Sequence, residues 1–182
     1  MNKKIGIGFS QSSLVLLEKL SARKHIHEIF LPSKLYPFLK NPIENLFFES
    51  LPTVFEENWI KGNVFFVVGA IGAVTRLVAP FLKNKEEDPA VLILDAQGSK
   101  VIPLVGGHFG GGENLAIQIA EDLGGIAVIT GESRNSGKLA LDSFGIDWGW
   151  RRSGDMTHWS ELMHSQSNNS NLTVIQNSGS LM

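Results

Sequence analysis

Short apolar runs alternate with helix-like segments along most of this chain, and this alternation constrains the fold more than any other feature. Residues 64–68 (Val-Phe-Phe-Val-Val) are apolar throughout, as expected for a strand that is covered on both faces of a sheet. The other apolar runs are residues 5–9, 29–31, 91–94, 101–105 and 127–130. Because helical spacing of apolar residues follows several of these runs, the pattern predicts a three-layer α/β fold. The sheet is expected to be mostly parallel, with helices on both faces.

Three local features refine the predicted α/β fold. The turn at 95–98 (Asp-Ala-Gln-Gly) joins two runs as a hairpin, which predicts that part of the sheet is antiparallel. Pro103 predicts an edge or end position for the second of these strands, because proline cannot donate a ladder hydrogen bond. The prolines between residues 32 and 52 predict that this segment is largely irregular.

The chain has 182 residues, which favours one main domain. We expect an α/β domain over residues 1–150 and, over residues 151–182, the start of a following segment that has been truncated. Within that segment, residues 157–163 are expected to form a short helix. Residues 164–171 are expected to form a loop, and residues 172–176 a strand.

Composition excludes several classes of chemistry. A formal net charge of −2 gives no electrostatic reason to expect nucleic acid or an anionic membrane as a partner. The absence of cysteine excludes disulfides, thiolate metal sites and cysteine nucleophiles. No apolar run reaches the ~20 residues of a membrane helix, so we expect a cytoplasmic protein without a membrane segment.

The strongest local signal is a glycine-rich turn between a predicted strand and a predicted helix, at residues 106–114 (Gly-Gly-His-Phe-Gly-Gly-Gly-Glu-Asn). Glycines let the backbone adopt positive φ and approach a ligand closely, and a helix N-terminus favours an anion. A histidine in that position tends to stay neutral, which suits a general base. We therefore predict His108 as the catalytic residue. The predicted substrate-binding residues of this turn are Gly107, Gly110, Gly111, Gly112, Glu113 and Asn114. The competing interpretation is a tight turn that carries a structural histidine.

A second turn of the same kind follows residues 64–68. Gly69 and Gly72 are predicted to open a helix that carries Arg76, whose guanidinium suits a substrate carboxylate. An ordinary solvated or salt-bridged arginine is an equally good interpretation. We expect this turn and the His108 turn to lie at one edge of the sheet, where open α/β folds bind ligands.

Gly6-x-Gly8 is a weak match to a dinucleotide fingerprint, because both glycines lie within the first strand and a third glycine is missing. The histidines form no cluster with metal-ligand spacing, so no resident metal or other cofactor is expected.

Several motifs resemble, in order, those of the CbiG family of cobalamin biosynthesis. They run from residues 69–72 through Arg76, residues 88–91 and Asp95 to residues 107–111 and 128–130. The resemblance covers roughly residues 60–145 and is compatible with the first strand and helix.

The resemblance implies an activity, a substrate and partners. The family's activity is cobalt-precorrin-5A hydrolysis in the anaerobic pathway to vitamin B12: a δ-lactone on ring A is opened, and the meso carbon leaves with its methyl group as acetaldehyde. The implied substrate is a carboxylate-rich cobalt corrinoid, which brings the cobalt with it. Implied partners are the family's C-terminal domain and, in some relatives, a fused precorrin methyltransferase. Homodimer formation stays open.

The roles in catalysis follow from residue chemistry alone. His108 is expected to activate the water that attacks the lactone, and backbone N–H groups of residues 110–112 are expected to hold the oxyanion. Arg76 would orient a substrate carboxylate. This sequence departs from the family pattern at Glu113-Asn114, where acid and amide are exchanged, and at Arg134, where a cation replaces a carboxylate. The alternatives are a non-catalytic corrinoid-binding or scaffolding domain, and an unrelated nucleotide-binding domain.

Overall fold

A computed structural model describes residues 2–38, 43–107, 111–130 and 153–167 of the chain. The chain divides into two compact units, Met1–Ile129 and Thr130–Met182. The boundary that the sequence predicts near residue 150 lies outside the described residues. None of the described helices is long and apolar enough to cross a membrane.

The first unit contains a seven-stranded sheet in the order β3-β2-β1-β4-β5-β6-β7. All neighbouring strands are parallel except β5 and β6. The mostly parallel sheet and its antiparallel hairpin are therefore confirmed. The strands are β1 Lys4–Gly8, β2 Glu28–Leu31, β3 Leu46–Phe48, β4 Val64–Val68, β5 Ala90–Leu94, β6 Lys100–Val105 and β7 Ile126–Ala127.

Helices cover both faces of this sheet, as predicted. On one face, α1 (Gln11–Ala22) and α4 (Gly112–Leu123) bury Leu17, Leu20 and Ile119 against the strands. On the other face, α2 (Leu51–Asn58) and α3 (Ile71–Val78) contribute the buried Phe55, Val74 and Val78. Central β4 is buried at all five positions, which explains why its sequence is apolar without alternation.

The segment expected to be irregular contains two short elements. Residues Ser33–Phe38 form a 3₁₀ helix, and β3 adds a parallel edge strand beside β2. The ring of Phe47 in β3 stacks on Phe30 of β2 with centroids 5.3 Å apart. The prediction missed β3 because its three residues are defined by pairing with β2 rather than by a local pattern.

Except for the last one, the predicted strands of the sheet agree with the observed strands to within one residue at each end. The Pro103 prediction holds because β7 pairs only with Lys100 and Val101, so β6 has no second strand neighbour at Pro103 among the described residues. The last predicted strand is shorter than expected, since β7 ends at Ala127.

In the second unit, a helix spans Met156–Ser167 (α5). The predicted loop at 164–171 is therefore wrong at residues 164–167, where no glycine or proline interrupts the helix. The predicted strand at 172–176 lies outside the described residues.

Gly6 and Gly8 have a packing role rather than a nucleotide-binding one. A Cβ on Gly6 would lie 2.6 Å from Ile26 Cδ1 and 2.9 Å from Leu17 Cδ2, and one on Gly8 would overlap Ser13 Oγ. The small residues of β1 thus let the side chains of α1, of Ile26 before β2 and of Leu31 at the end of β2 pack closely against β1.

We expect Gly6→Ala to lower the free energy of unfolding by about 1–3 kcal/mol, the usual range for overpacking a core. The clashing atoms are the ends of flexible side chains, so the fold should survive the change. Urea denaturation followed by circular dichroism measures the effect. An unchanged urea midpoint would show that α1 does not need this close approach.

Candidate functional site

The structure places the two glycine turns at opposite ends of the parallel strands. The Gly69 turn lies where these strands end (the carboxyl edge), and the Gly106 end of the His108 turn lies where they begin (the amino edge). Gly69 follows β4, and its N–H donates to the carbonyl of Leu94 at the carboxyl end of β5, 3.1 Å away. Gly106 follows β6, and a Cβ there would lie 2.8 Å from the carbonyl oxygen of Pro89, just before β5 begins. Because β5 has five residues, the two turns are separated by about 13 Å of strand.

The prediction that both turns share one edge is therefore wrong, and the reason is strand direction. Val91 pairs with Val105 and Leu94 with Val101, so β6 runs opposite to β5. The carboxyl end of β6 consequently lies at the amino edge of β1, β4 and β5. The His108 turn is not at the edge where ligands of open parallel sheets usually bind.

Three of the described glycines of the His108 turn are favoured by its geometry: Gly106, Gly111 and Gly112. Gly106 has φ +66°, and its missing side chain leaves room for Pro89 and for Ala90 Cα, which a Cβ would approach to 2.9 Å. Gly111 has φ +68° but faces open space, so its requirement is conformational only. A Cβ on Gly112 would lie 3.0 Å from the carbonyl oxygen of Gly106.

Two hydrogen bonds close this turn onto itself. The N–H of Gly112 donates to the Gly106 carbonyl at 3.1 Å, and the N–H of Glu113 donates to the Gly107 carbonyl at 3.0 Å. The Gly112 N–H is thus engaged within the turn, which argues against its predicted role as an oxyanion donor. His108 and Gly110 lie outside the described residues, and their predicted roles stay predictions.

Glu113 and Asn114, predicted together as substrate-binding residues, are placed differently. Glu113 is only 7% exposed, and its Oε1 would lie 3.3 Å from a Cβ on Gly107. Its side chain therefore packs inward beneath the turn, whereas Asn114 is exposed on α4. Burial of Glu113 favours a role in shaping the turn over direct contact with an anionic substrate.

Asp88 is a buried carboxylate beside this turn that no local sequence pattern marks as functional. Asp88 is 7% exposed and accepts hydrogen bonds from Trp59 Nε1 at 3.0 Å and from the Lys83 N–H at 3.0 Å. Asp88 immediately precedes Pro89, whose carbonyl oxygen packs closely against Gly106. The only sequence signal was its place in the 88–91 motif of the family resemblance.

The Gly69 turn forms a second group of predicted residues at the carboxyl edge. The strand order reverses between β1 and β4, so this turn lies at a topological switch point. A Cβ on Gly69 would lie 2.6 Å from the ring of Phe9, so the glycine is needed for packing. Arg76 is exposed, and its Nη1 donates to the Gly72 carbonyl at 2.8 Å, which turns the guanidinium toward this edge.

Asp95 follows β5 at the same carboxyl edge and organises the hairpin. Its carboxylate accepts hydrogen bonds from Ser99 Oγ at 2.5 Å and from the Lys100 N–H at 2.9 Å. Partial burial raises the pKa of Asp95, but the hydrogen bonds from Ser99 and Lys100 outweigh it, and the pKa lies below its ordinary value. Ser99 and Asp95 thus connect the ends of β5 and β6.

This lowered pKa predicts a pH dependence of stability. A carboxyl whose pKa is lower in the folded state stabilises the fold above its unfolded pKa of about 3.9. That contribution is lost as the pH falls through the folded pKa. In urea denaturation between pH 6 and pH 2, we expect Asp95→Asn to show less acid destabilisation than the wild type. Equal acid sensitivity of the two proteins would contradict the assignment.

Among the described residues, no group of three or more histidine, aspartate or glutamate side chains is arranged to hold a metal ion. The functional groups described at the amino edge are therefore the backbone of the glycine turn and the buried carboxylates of Glu113 and Asp88.

Fold and turn together define a doubly wound α/β domain with one antiparallel hairpin and a glycine-rich turn at the amino edge of the parallel strands. Comparison with known proteins then identifies the family. Residues 53–133 match the model of the cobalamin synthesis G N-terminal family, and this segment contains both glycine turns. Residues 53–133 therefore belong to this N-terminal family, as the motifs predicted.

Two curated relatives are each named cobalt-precorrin-5A hydrolase. The protein from Priestia megaterium is 36% identical over 131 residues, which are 71% of this chain and 33% of the relative. The protein from Salmonella typhimurium is 37% identical over 86 residues, which are 47% of this chain and 24% of the relative. This chain thus spans a third or less of the relatives' length.

A crystal structure of a cobalamin biosynthesis protein G homolog from Sulfolobus solfataricus has the same fold. The match has a TM-score of 0.50 and 25% sequence identity, and it covers 74% of this chain and 39% of the homolog. The α/β architecture is therefore shared by this chain and a CbiG homolog.

Proposed function

We propose that this chain acts in cobalamin biosynthesis as the N-terminal part of a cobalt-precorrin-5A hydrolase. The observation that supports this most directly is the family match over residues 53–133, which includes the whole His108 turn. The names of two relatives at 36% and 37% identity support the same activity. The non-catalytic corrinoid-binding alternative is not favoured by these relationships.

The proposed reaction is hydrolysis of the ring A δ-lactone of a cobalt corrinoid. Water adds to the lactone carbonyl and the acyl C–O bond breaks, which leaves a carboxylate on ring A and a hydroxyl on the meso carbon. That hydroxyl loses its proton and becomes the carbonyl of acetaldehyde as the C–C bond from the meso carbon to the macrocycle breaks. The macrocycle keeps the electron pair of that bond and takes up a proton. In this proposal His108 accepts the proton of the attacking water. Cobalt belongs to the substrate, and the chain supplies no resident cofactor. The proposed location is the cytoplasm.

We assign this reaction to the amino edge, because Gly106–Gly107 and Gly111–Gly112, which flank His108 in the sequence, lie there. Arg76 points toward the opposite edge and receives no part in lactone opening. The buried Glu113 shapes the turn from within, since its side chain packs against Gly107. The further C-terminal domain, a fused methyltransferase and a homodimer remain predictions from the resemblance.

Anaerobic incubation of the chain with cobalt-precorrin-5A tests the proposal, with acetaldehyde assayed and the corrinoid mass followed. Acetaldehyde release with a matching loss of mass is the expected result. A corrinoid spectral shift without turnover would instead support the binding-domain alternative. If neither occurs, even with the C-terminal region of the Priestia relative added, the proposed activity is wrong for this chain.

The unrelated nucleotide-binding alternative makes a different prediction. It requires phosphate-dependent binding at one of the two glycine turns, and the Gly112 and Glu113 N–H groups at the amino-edge turn are already engaged within it. A thermal-shift screen with nucleotides distinguishes this class from a corrinoid enzyme.

A further inference from the structure

Asp88 connects two parts of the first unit that are distant in sequence. One carboxylate oxygen, Oδ1, accepts from Trp59 Nε1 at the end of α2 and from the Lys83 N–H, each at 3.0 Å. The other oxygen, Oδ2, lies 3.3 Å from the same Lys83 nitrogen. A buried carboxylate with such donors holds its surroundings firmly, because charge-assisted hydrogen bonds are about twice as strong as neutral ones.

Pro89, the residue after Asp88, packs against the first glycine of the turn, Gly106. The Pro89 carbonyl and Ala90 Cα lie so close to Gly106 that a Cβ there would approach them to 2.8 and 2.9 Å. Gly106 in turn accepts the hydrogen bond from the N–H of Gly112 that starts α4. Contacts therefore run without interruption from Trp59 through Asp88 and Pro89 to Gly106.

We propose that Asp88 is a positioning residue for the two described ends of the glycine turn, Gly106–Gly107 and Gly111–Gly112. By fixing Pro89, Asp88 sets the position of the backbone that Gly106 contacts, and so where the chain enters the turn. The functional meaning of this role rests on the proposed function. The positioning itself is a property of the fold and can be measured without any substrate.

Amide hydrogen exchange in the full chain, followed by NMR, tests the proposal. The amides of Gly112 and Glu113 report on the turn, because they donate to Gly106 and Gly107. The amide of Phe66, in fully buried β4, reports on global unfolding. In Asp88→Ala we expect exchange at Gly112 and Glu113 to accelerate at least about tenfold relative to Phe66, as expected for loss of a charged hydrogen bond.

Two matched variants separate positioning from a general loss of stability. Asp88→Asn keeps an Oδ1 acceptor for Trp59 and Lys83, and turn exchange should stay within about threefold of the wild type. Asn58→Ala removes another buried polar side chain at the end of α2, one whose Nδ2 donates to Val54 within the same helix. It should accelerate the turn amides and Phe66 by the same factor.

The proposal is overturned if Asp88→Ala affects the turn amides no more than Asn58→Ala does. If Asp88→Ala does not fold, Trp59→Phe removes the indole donor while keeping an aromatic ring against Phe55, Phe65 and Phe81. Relative to the wild type, exchange of the turn amides should then accelerate several-fold more than exchange of Phe66. Wild-type exchange in Trp59→Phe would then overturn the proposal. Failure of the proposed function appears separately, as absent acetaldehyde release with this exchange pattern intact.

Discussion

Gly106→Ala is expected to lower the free energy of unfolding of the first unit by about 3 kcal/mol or more. Two costs combine at this position. Its φ of +66° lies in the left-handed region, which costs a residue with a side chain about 1–2 kcal/mol. The new Cβ would also lie 2.8 Å from the Pro89 carbonyl oxygen and 2.9 Å from Ala90 Cα. These are backbone atoms, so relief requires movement of β5 or of the turn.

Gly111→Ala is the matched control. Gly111 has nearly the same φ, +68°, but nothing lies within 4 Å of its Cβ position. Only the conformational cost of about 1 kcal/mol should remain. Urea denaturation of both variants measures the difference. Similar losses in the two proteins would mean that the contact with Pro89 is unimportant and that backbone conformation alone makes the turn glycine-rich.

His108→Ala is expected to reduce acetaldehyde release from cobalt-precorrin-5A by about 10²–10⁴-fold, the usual contribution of a general base. The reason is that no other group is assigned to remove the proton from the attacking water. The rate is measured under single-turnover, anaerobic conditions with saturating corrinoid. Corrinoid binding, followed by its absorption spectrum, should change much less than the rate.

His158→Ala is the control for the histidine substitution. The His158 side chain is 76% exposed on α5, and no catalytic role is assigned to it, so the rate should stay at the wild-type value. Circular dichroism establishes that both variants are folded. A His108→Ala protein that keeps the wild-type rate would remove His108 from the mechanism and leave the amino-edge turn without its proposed base.

The family and much of the fold follow from local sequence patterns. The run at residues 64–68 predicts a buried strand because a strand covered on both faces has no polar alternation, and β4 is buried throughout. The turn at 95–98 predicted the hairpin, which β5 and β6 form. The motifs between residues 69 and 111 predicted the CbiG family, which the match over residues 53–133 shows.

Features that depend on distant partners were missed or misplaced. Strand β3 exists through its pairing with β2, and Asp88 acquires its role only when Trp59 and Lys83 are brought to it. Gly6 and Gly8 are a partial nucleotide fingerprint in the sequence, and they prove to be spacers for α1. Each of these depends on contacts between different segments of the folded chain, which a local sequence pattern does not reveal.

The sequence by itself determined the class of the fold, the family and the two glycine turns, because strand periodicity, turn chemistry and motif order are local properties. Only the tertiary structure decided that these turns lie at opposite edges of the sheet. The reason is physical: the antiparallel pairing of β6 with β5 reverses the direction in which the chain leaves the sheet. The His108 turn therefore begins beside Pro89 and Asp88, far from Gly69 and Arg76.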